Sequence, residues 1–168
     1  TGLVLVLGID PGTAITGFGL VREDDAGLVL VDHGVITTPA GQPLPERLQR
    51  IYQGLRGVIH EYQPEATAVE ELFFSRNVRT ALSVGHARGV TLLALVDAGL
   101  PIYEYKPLEI KQAIAGYGGA DKRQVQEMVR MLLELESVPQ PDDAADAVTV
   151  AVCHIHSARM AALIADAG

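Results

Sequence analysis

The hydrophobic period of this sequence changes once, and that change limits the folds open to it. Up to about residue 37 the apolar residues come in short runs broken by tight turns. Residues 3–9 (LVLVLGI) form a branched, nearly unbroken run, the pattern of a strand buried on both faces. The run ends at Asp10-Pro11-Gly12-Thr13, a strong turn signal. Residues 15–22 read as a second strand, and an acidic turn, Glu23-Asp24-Asp25-Ala26-Gly27, leads to a third over 28–37. Three strands joined by short turns predict an antiparallel meander. From Leu44 the spacing becomes helical, with apolar residues at Leu48, Ile51, Tyr52, Leu55, Val58 and Ile59, and it stops near Gln63-Pro64. A short strand is expected over 66–72, a helix over 78–98 ending at Gly99, and a strand over 101–105. Helices follow over about 108–115, 122–135 and 142–164. The order β-β-β-α-β-α-β-α-α-α predicts an α/β fold, a mixed five-stranded sheet with helices on both faces.

A chain of 168 residues fits one domain, read as 1–168, with a core large enough to fold without staples. The single cysteine, Cys153, forms no intrachain disulfide and fits a reducing interior. No run approaches the roughly 20 apolar residues of a membrane span, so no membrane role is expected. His154 and His156 flank Cys153 closely, but helical positions two apart do not share a face, which disfavours a zinc site.

Acidic residues at strand ends and helix starts carry the chemistry. Asp10 closes the first strand. Glu70 sits in Thr67-Ala68-Val69-Glu70-Glu71-Leu72, a mostly apolar strand where a lone charge is costly. Asp142, Asp143 and Asp146 open the last helix, and Asp143 and Asp146 share a face. If the strands of Asp10 and Glu70 are neighbours, four carboxylates converge at one sheet end. Such a set repels itself without a cation. Its hard oxygen donors suit Mg²⁺ or Mn²⁺, and two such ions can clamp a phosphodiester. Plainer roles exist for all but Glu70, which is harder to dismiss: Asp10 as a turn starter, Asp142 and Asp143 as cap and first-turn charges, and Asp146 as a further first-turn charge.

The formal net charge of -8 argues at first against nucleic acid. It is uneven, however. Residues 71–132 hold eight Lys or Arg against six Asp or Glu, and the remainder holds five against fifteen. The middle of the chain is therefore compatible with phosphate. There Phe73 and Phe74 precede Ser75-Arg76-Asn77, an aromatic pair suited either to stacking on unpaired bases or to packing on the core. Lys111 and Lys122 flank the Gly116-Tyr117-Gly118-Gly119 loop.

Several motifs in order resemble the RuvC family of bacterial Holliday junction resolvases. They are Gly8-Ile9-Asp10-Pro11-Gly12 with Thr16-Gly17-Phe18-Gly19, and Ala68-Val69-Glu70-Glu71-Leu72-Phe73. Ala87-Arg88-Gly89, Tyr103-Glu104-Tyr105 and Val125-Gln126 follow, then Asp143-Ala144-Ala145-Asp146-Ala147. The resemblance implies an RNase H-like fold of the retroviral-integrase superfamily. It implies a homodimer that cuts opposed strands of a four-way DNA junction by paired symmetric nicks, in homologous recombination and DNA repair. By it, Asp10, Glu70, Asp143 and Asp146 are catalytic carboxylates holding two divalent ions, Mg²⁺ or Mn²⁺. Phe73 matches a base-contacting aromatic; Phe74 and Arg76 are expected as further DNA contacts from their place beside it in the sequence, not from the resemblance. Lys111 and Lys122 match phosphate contacts. It further implies work with the RuvA–RuvB branch-migration complex, a preference for T-rich tetranucleotides and a bacterial cytoplasmic, nucleoid-associated setting. Asp142 lies outside the family motif.

Three other readings share parts of this pattern. Gly8-Ile9-Asp10-Pro11-Gly12-Thr13 is similar to the first phosphate loop of actin-type and sugar-kinase ATPases, but the chain has room for only one of the two halves these need. A module that binds branched DNA without cutting it has no need of four carboxylates. An RNA–DNA hybrid nuclease of the same fold shares the acids but not the later motifs.

Overall fold

The computed structural model describes residues 4–71 and 77–168. Strands β1 (Val4–Asp10), β2 (Ile15–Asp24) and β3 (Gly27–Thr37) form the expected antiparallel meander. Helix α1 (Leu44–Tyr62) follows, then β4 (Ala66–Glu70), α2 (Val78–Asp97) and β5 (Ile102–Tyr105). The chain ends with α3 (Pro107–Ala115), α4 (Lys122–Leu132) and α5 (Asp142–Ala167). Sheet order is β3-β2-β1-β4-β5, with β4 parallel to both β1 and β5. The parallel crossovers through α1 and α2 carry the chain from the meander to the far edge.

The alternation of side chains along each strand divides the core in two. Leu7, Ile9, Leu20 and Val69 pack against Ile51 and Leu55 of α1 and Ala87, Ala94 and Leu95 of α2. Val6, Val21, Ala66 and Ala68 face the other way, onto α3, α4 and α5. Each fully buried Leu, Ile or Val contributes roughly 1.5–3 kcal/mol against the entropy of ordering the chain.

Helix α5 is the central element of the second face. By length and apolar content alone it could cross a membrane, contrary to the expectation from run length. Half of its apolar window is buried inside the fold, which marks it as a core helix. It lies unusually close to the sheet. A Cβ placed on Gly8 would stand 1.9 Å from the Ala147 carbonyl oxygen, and one on Gly17 would stand 2.0 Å from that of Asp143. Only glycine lets the helix backbone descend onto β1 and β2 at these points.

Most expected boundaries hold to within a residue or two. The exceptions are α4, which stops at Leu132, and α5, which continues to Ala167. Glu134 adopts a left-handed conformation (φ 53°), which ends the helical run although its apolar spacing continues to Leu135.

Candidate active site

Sheet register places the first two acids. In β1, Val6, Gly8 and Asp10 share the face turned to α5, because residues two apart point the same way. In β4, Ala66, Ala68 and Glu70 share that same face. The parallel pairing runs from Val6↔Ala66 to Ile9↔Val69, so Asp10 and Glu70 follow side by side at the C-terminal ends of their strands. Asp10 also pairs with Gly17 on the other side. Gly17 lies under the Asp143 carbonyl, so the start of α5 sits over the end of β1. Asp142, Asp143 and Asp146 arrive at the same sheet end.

The turn after Asp10 is braced. The Thr16 hydroxyl donates to the Gly12 carbonyl at 2.7 Å, and the Gly12 N–H donates back to Thr16 Oγ1 at 3.2 Å. Thr13 Oγ1 donates to the Ser83 carbonyl of α2 at 2.6 Å, and Thr38 Oγ1 donates to the Thr13 carbonyl at 2.6 Å. These bonds tie the acidic strand end to the opposite helical layer.

Burial and mutual charge together perturb the ionisation of these acids. Burial and then the charges of Asp146, Asp143 and Glu70 raise the Asp10 pKa from 3.8 to about 7, against the pull of Lys122. Burial and then Asp146 also raise Glu70, while Lys122 and Lys111 lower it. Burial raises Asp146 too, opposed by Lys122. For Lys122 itself, desolvation acts downward, but Asp142 and Asp146 outweigh it and the net shift is upward. A cleft of about 340 Å³ opens beside the acids, lined by Glu70, Lys111, Lys122, Gln126, Asp146 and Thr149 among others.

Among the described residues, no three His, Cys, Asp or Glu side chains are already drawn into a closed metal-coordinating group. The four acids share one sheet end, and Lys122 reaches between Asp142 and Asp146. The donor set nonetheless suits a hard divalent cation. It is all oxygen, and burial first, with the charges of the neighbouring acids second, holds Asp10 well above the usual carboxylate range.

Lys111 and Lys122 both line this cleft. Phe73, Phe74 and Arg76 lie outside the described residues. The histidine question is resolved in favour of packing. His154 is buried, stacks on Tyr103 with ring centroids 4.2 Å apart, and shares a 2.6 Å hydrogen bond with the Tyr105 hydroxyl. Burial lowers its pKa and pushes Cys153 up to about 12. His156 is exposed.

Arg88 has a position that sequence reasoning did not anticipate. Its side chain is only 12% exposed and pairs with Glu104 at 2.9 Å. Its guanidinium also donates to the Glu70 backbone carbonyl. Arg88 thus ties α2 to β5 and to the end of β4 that carries Glu70. The available signal was a charged residue beside Ala87, the one Lys, Arg, Asp or Glu between Arg79 and Asp97 in that helix. Ala87 itself is buried against the sheet, so it belongs to a different face from the exposed Gly89.

A mixed sheet carrying adjacent acids on parallel strand ends, with a third acidic group brought in by the closing helix, defines the RNase H-like class of folds. Residues 6–154 match the family described as crossover junction endodeoxyribonuclease RuvC. A protein of that name from Chloroflexus aggregans is 64% identical over 152 residues, 90% of this chain and 93% of its own. One from Roseiflexus is 62% identical over 92% of each. The structure of Thermus thermophilus RuvC in complex with a Holliday junction substrate superimposes with a TM-score of 0.89 at 42% identity. It covers 94% of this chain and 96% of that one. The yeast mitochondrial resolvase Ydc2, at 14% identity and a TM-score of 0.65, shares the fold. This chain belongs to the RuvC family of crossover junction endodeoxyribonucleases.

Proposed function

We propose that this chain is a single nuclease domain that resolves four-way DNA junctions by hydrolysing one phosphodiester in each of two opposed strands. The observation that carries the mechanism is the meeting of Asp10, Glu70, Asp143 and Asp146 at one sheet end, beside a cleft containing Lys111 and Lys122. Asp10 and Glu70 would hold divalent ions from the sheet, and Asp143 and Asp146 from α5. Divalent ions held by these residues, two Mg²⁺ or Mn²⁺ on family grounds, would supply an activated water and charge stabilisation of the leaving oxygen. Lys111 and Lys122 orient the phosphate. Phe73 is assigned to DNA contact on the family motif, and Phe74 and Arg76 on their place beside it in the sequence.

A junction has two equivalent strands, so a two-fold dimer supplies one site to each. The surface of α2 supports that assembly. Val78, Leu82, Leu93 and Val96 are 71%, 57%, 55% and 62% exposed. Between them, a side chain added at Gly85 or Gly89 would meet nothing within 4 Å. Leu82 and Leu93 stand eleven residues apart, about three helical turns, and so share a stripe. Action in the bacterial cytoplasm at the nucleoid, alongside RuvA–RuvB, completes the reading on family grounds.

The test offers labelled four-way junctions and linear duplexes with Mg²⁺, Mn²⁺ or EDTA. Paired nicks in the junction alone, and only with metal, are expected. Equal cutting of linear duplex, or cutting in EDTA, refutes the reading.

A further inference from the structure

Lys122 is held in place by two residues outside the carboxylate set. Lys122 and Gln126 lie one turn apart on α4, and Asp142 and Asp146 lie one turn apart on α5. The two pairs face each other. The Lys122 ammonium donates to Asp142 and, at 3.2 Å, to Asp146. Gln126 Nε2 donates to the other Asp142 oxygen at 2.9 Å. Both oxygens of Asp142 are thus engaged, although its side chain is 62% exposed. Lys122, Gln126 and Asp146 line the cleft.

The arrangement has a consequence for Lys122. With Asp146 as its sole partner, the ammonium would close on a carboxylate assigned to metal, and the two cations would compete for it. Asp142 is a second partner, so the ammonium is shared between the two carboxylates. Two of its three N–H groups then point to Asp142 and Asp146, and one is left for a phosphate oxygen.

We propose that Asp142, braced by Gln126, is a positioning residue that holds the Lys122 ammonium at the cleft rim for a DNA phosphate and shares it with Asp146, so that Asp146 is not its sole partner. This inference rests on the nuclease reading above. Asp142 also stands in the first turn of α5, where a negative charge favours the helix dipole. That contribution would not depend on Lys122, which makes the two roles separable.

The test is a double-mutant cycle of Asp142→Ala and Lys122→Ala. Three quantities are read: junction affinity by fluorescence anisotropy in EDTA, the Mg²⁺ concentration for half-maximal cleavage, and Tm. Asp142→Ala should weaken junction binding about two- to fivefold, the range of an exposed ion pair, and raise the Mg²⁺ requirement. Asp142→Glu should restore both. In the Lys122→Ala background, Asp142→Ala should change neither. Gln126→Ala, which leaves α5 untouched, should act in the same direction more weakly and lose its effect in that background. Equal effects of Asp142→Ala in both backgrounds, or none in the wild type, overturn the proposal. A wild-type protein that neither binds nor cuts junctions overturns the nuclease reading itself, whereas an active wild type with an additive cycle overturns only the role of Asp142.

Discussion

Replacing Asp10 with Asn should destroy cleavage and, in the absence of divalent metal, make the protein more stable. The acid is ordinarily ionised above about pH 4, but in the folded protein its pKa rises from 3.8 to about 7. Between those values the folded state keeps a proton that the unfolded chain has released. The folded state binds more protons there, so stability falls as pH rises through the window and the penalty is complete above about pH 7. A rise of about three pKa units corresponds to roughly 4 kcal/mol, which is a ceiling because burial is its largest cause and Asp146, Asp143 and Glu70 share the repulsion that makes up the rest. If between a quarter and a half of that is recovered, Asp10→Asn gains roughly 1–2 kcal/mol, or about 2–8 °C in Tm for a chain of this length. The assay is thermal unfolding of both proteins in EDTA at about pH 5 and about pH 8, repeated with Mg²⁺. The gap should widen with pH, and Mg²⁺ should close it by binding the ionised wild type. A variant no more stable than wild type at about pH 8 in EDTA, or a gap that is the same at both pH values, would refute the argument.

Other consequences are equally direct. Glu70→Gln and Asp146→Asn should each reduce junction cleavage to background while gel-shift binding in EDTA persists; loss of binding would show that these acids serve affinity instead. Gly17→Ala, whose added carbon would press on the Asp143 carbonyl, should cost about 1–3 kcal/mol by urea unfolding and displace the acidic end of α5. Arg88→Leu leaves Glu104 and the Glu70 carbonyl without their shared donor; it should cost about 1–3 kcal/mol and slow cleavage, and Arg88→Lys should restore only part of either. Leu82→Glu combined with Leu93→Glu should give a monomer in sedimentation and single in place of paired nicks, and a persisting dimer would clear α2 of that role.

Much of the fold follows from local pattern. The branched run before Asp10, the acidic turn at 23–27 and the later helical spacing each act over a few residues, which is the range that periodicity reports. The meander and the βα order were therefore legible, and so was the placement of acids at strand ends and at the start of the last helix. The end of α4 was not, because the backbone of Glu134 turns while the apolar spacing runs on. The length of α5 was missed for the converse reason, since its exposed last turns carry no periodic signal.

By itself the sequence determined which residue types were available: four carboxylates at element ends, lysines in a less acidic middle, and glycines in the first two strands. Tertiary structure decided what they do together. Parallel pairing of β1 with β4 sets Asp10 beside Glu70, although 60 positions separate them in the chain. Gly8 and Gly17 let α5 settle close enough for its acids to join that pair. The packing of α4 on α5 turns Asp142 from an ordinary first-turn charge into a partner of Lys122. The physical reason is range. Propensity and periodicity act between neighbours along the chain, whereas charge repulsion, close backbone approach and hydrogen bonding depend on distance in space, which only the packed sheet and helices establish.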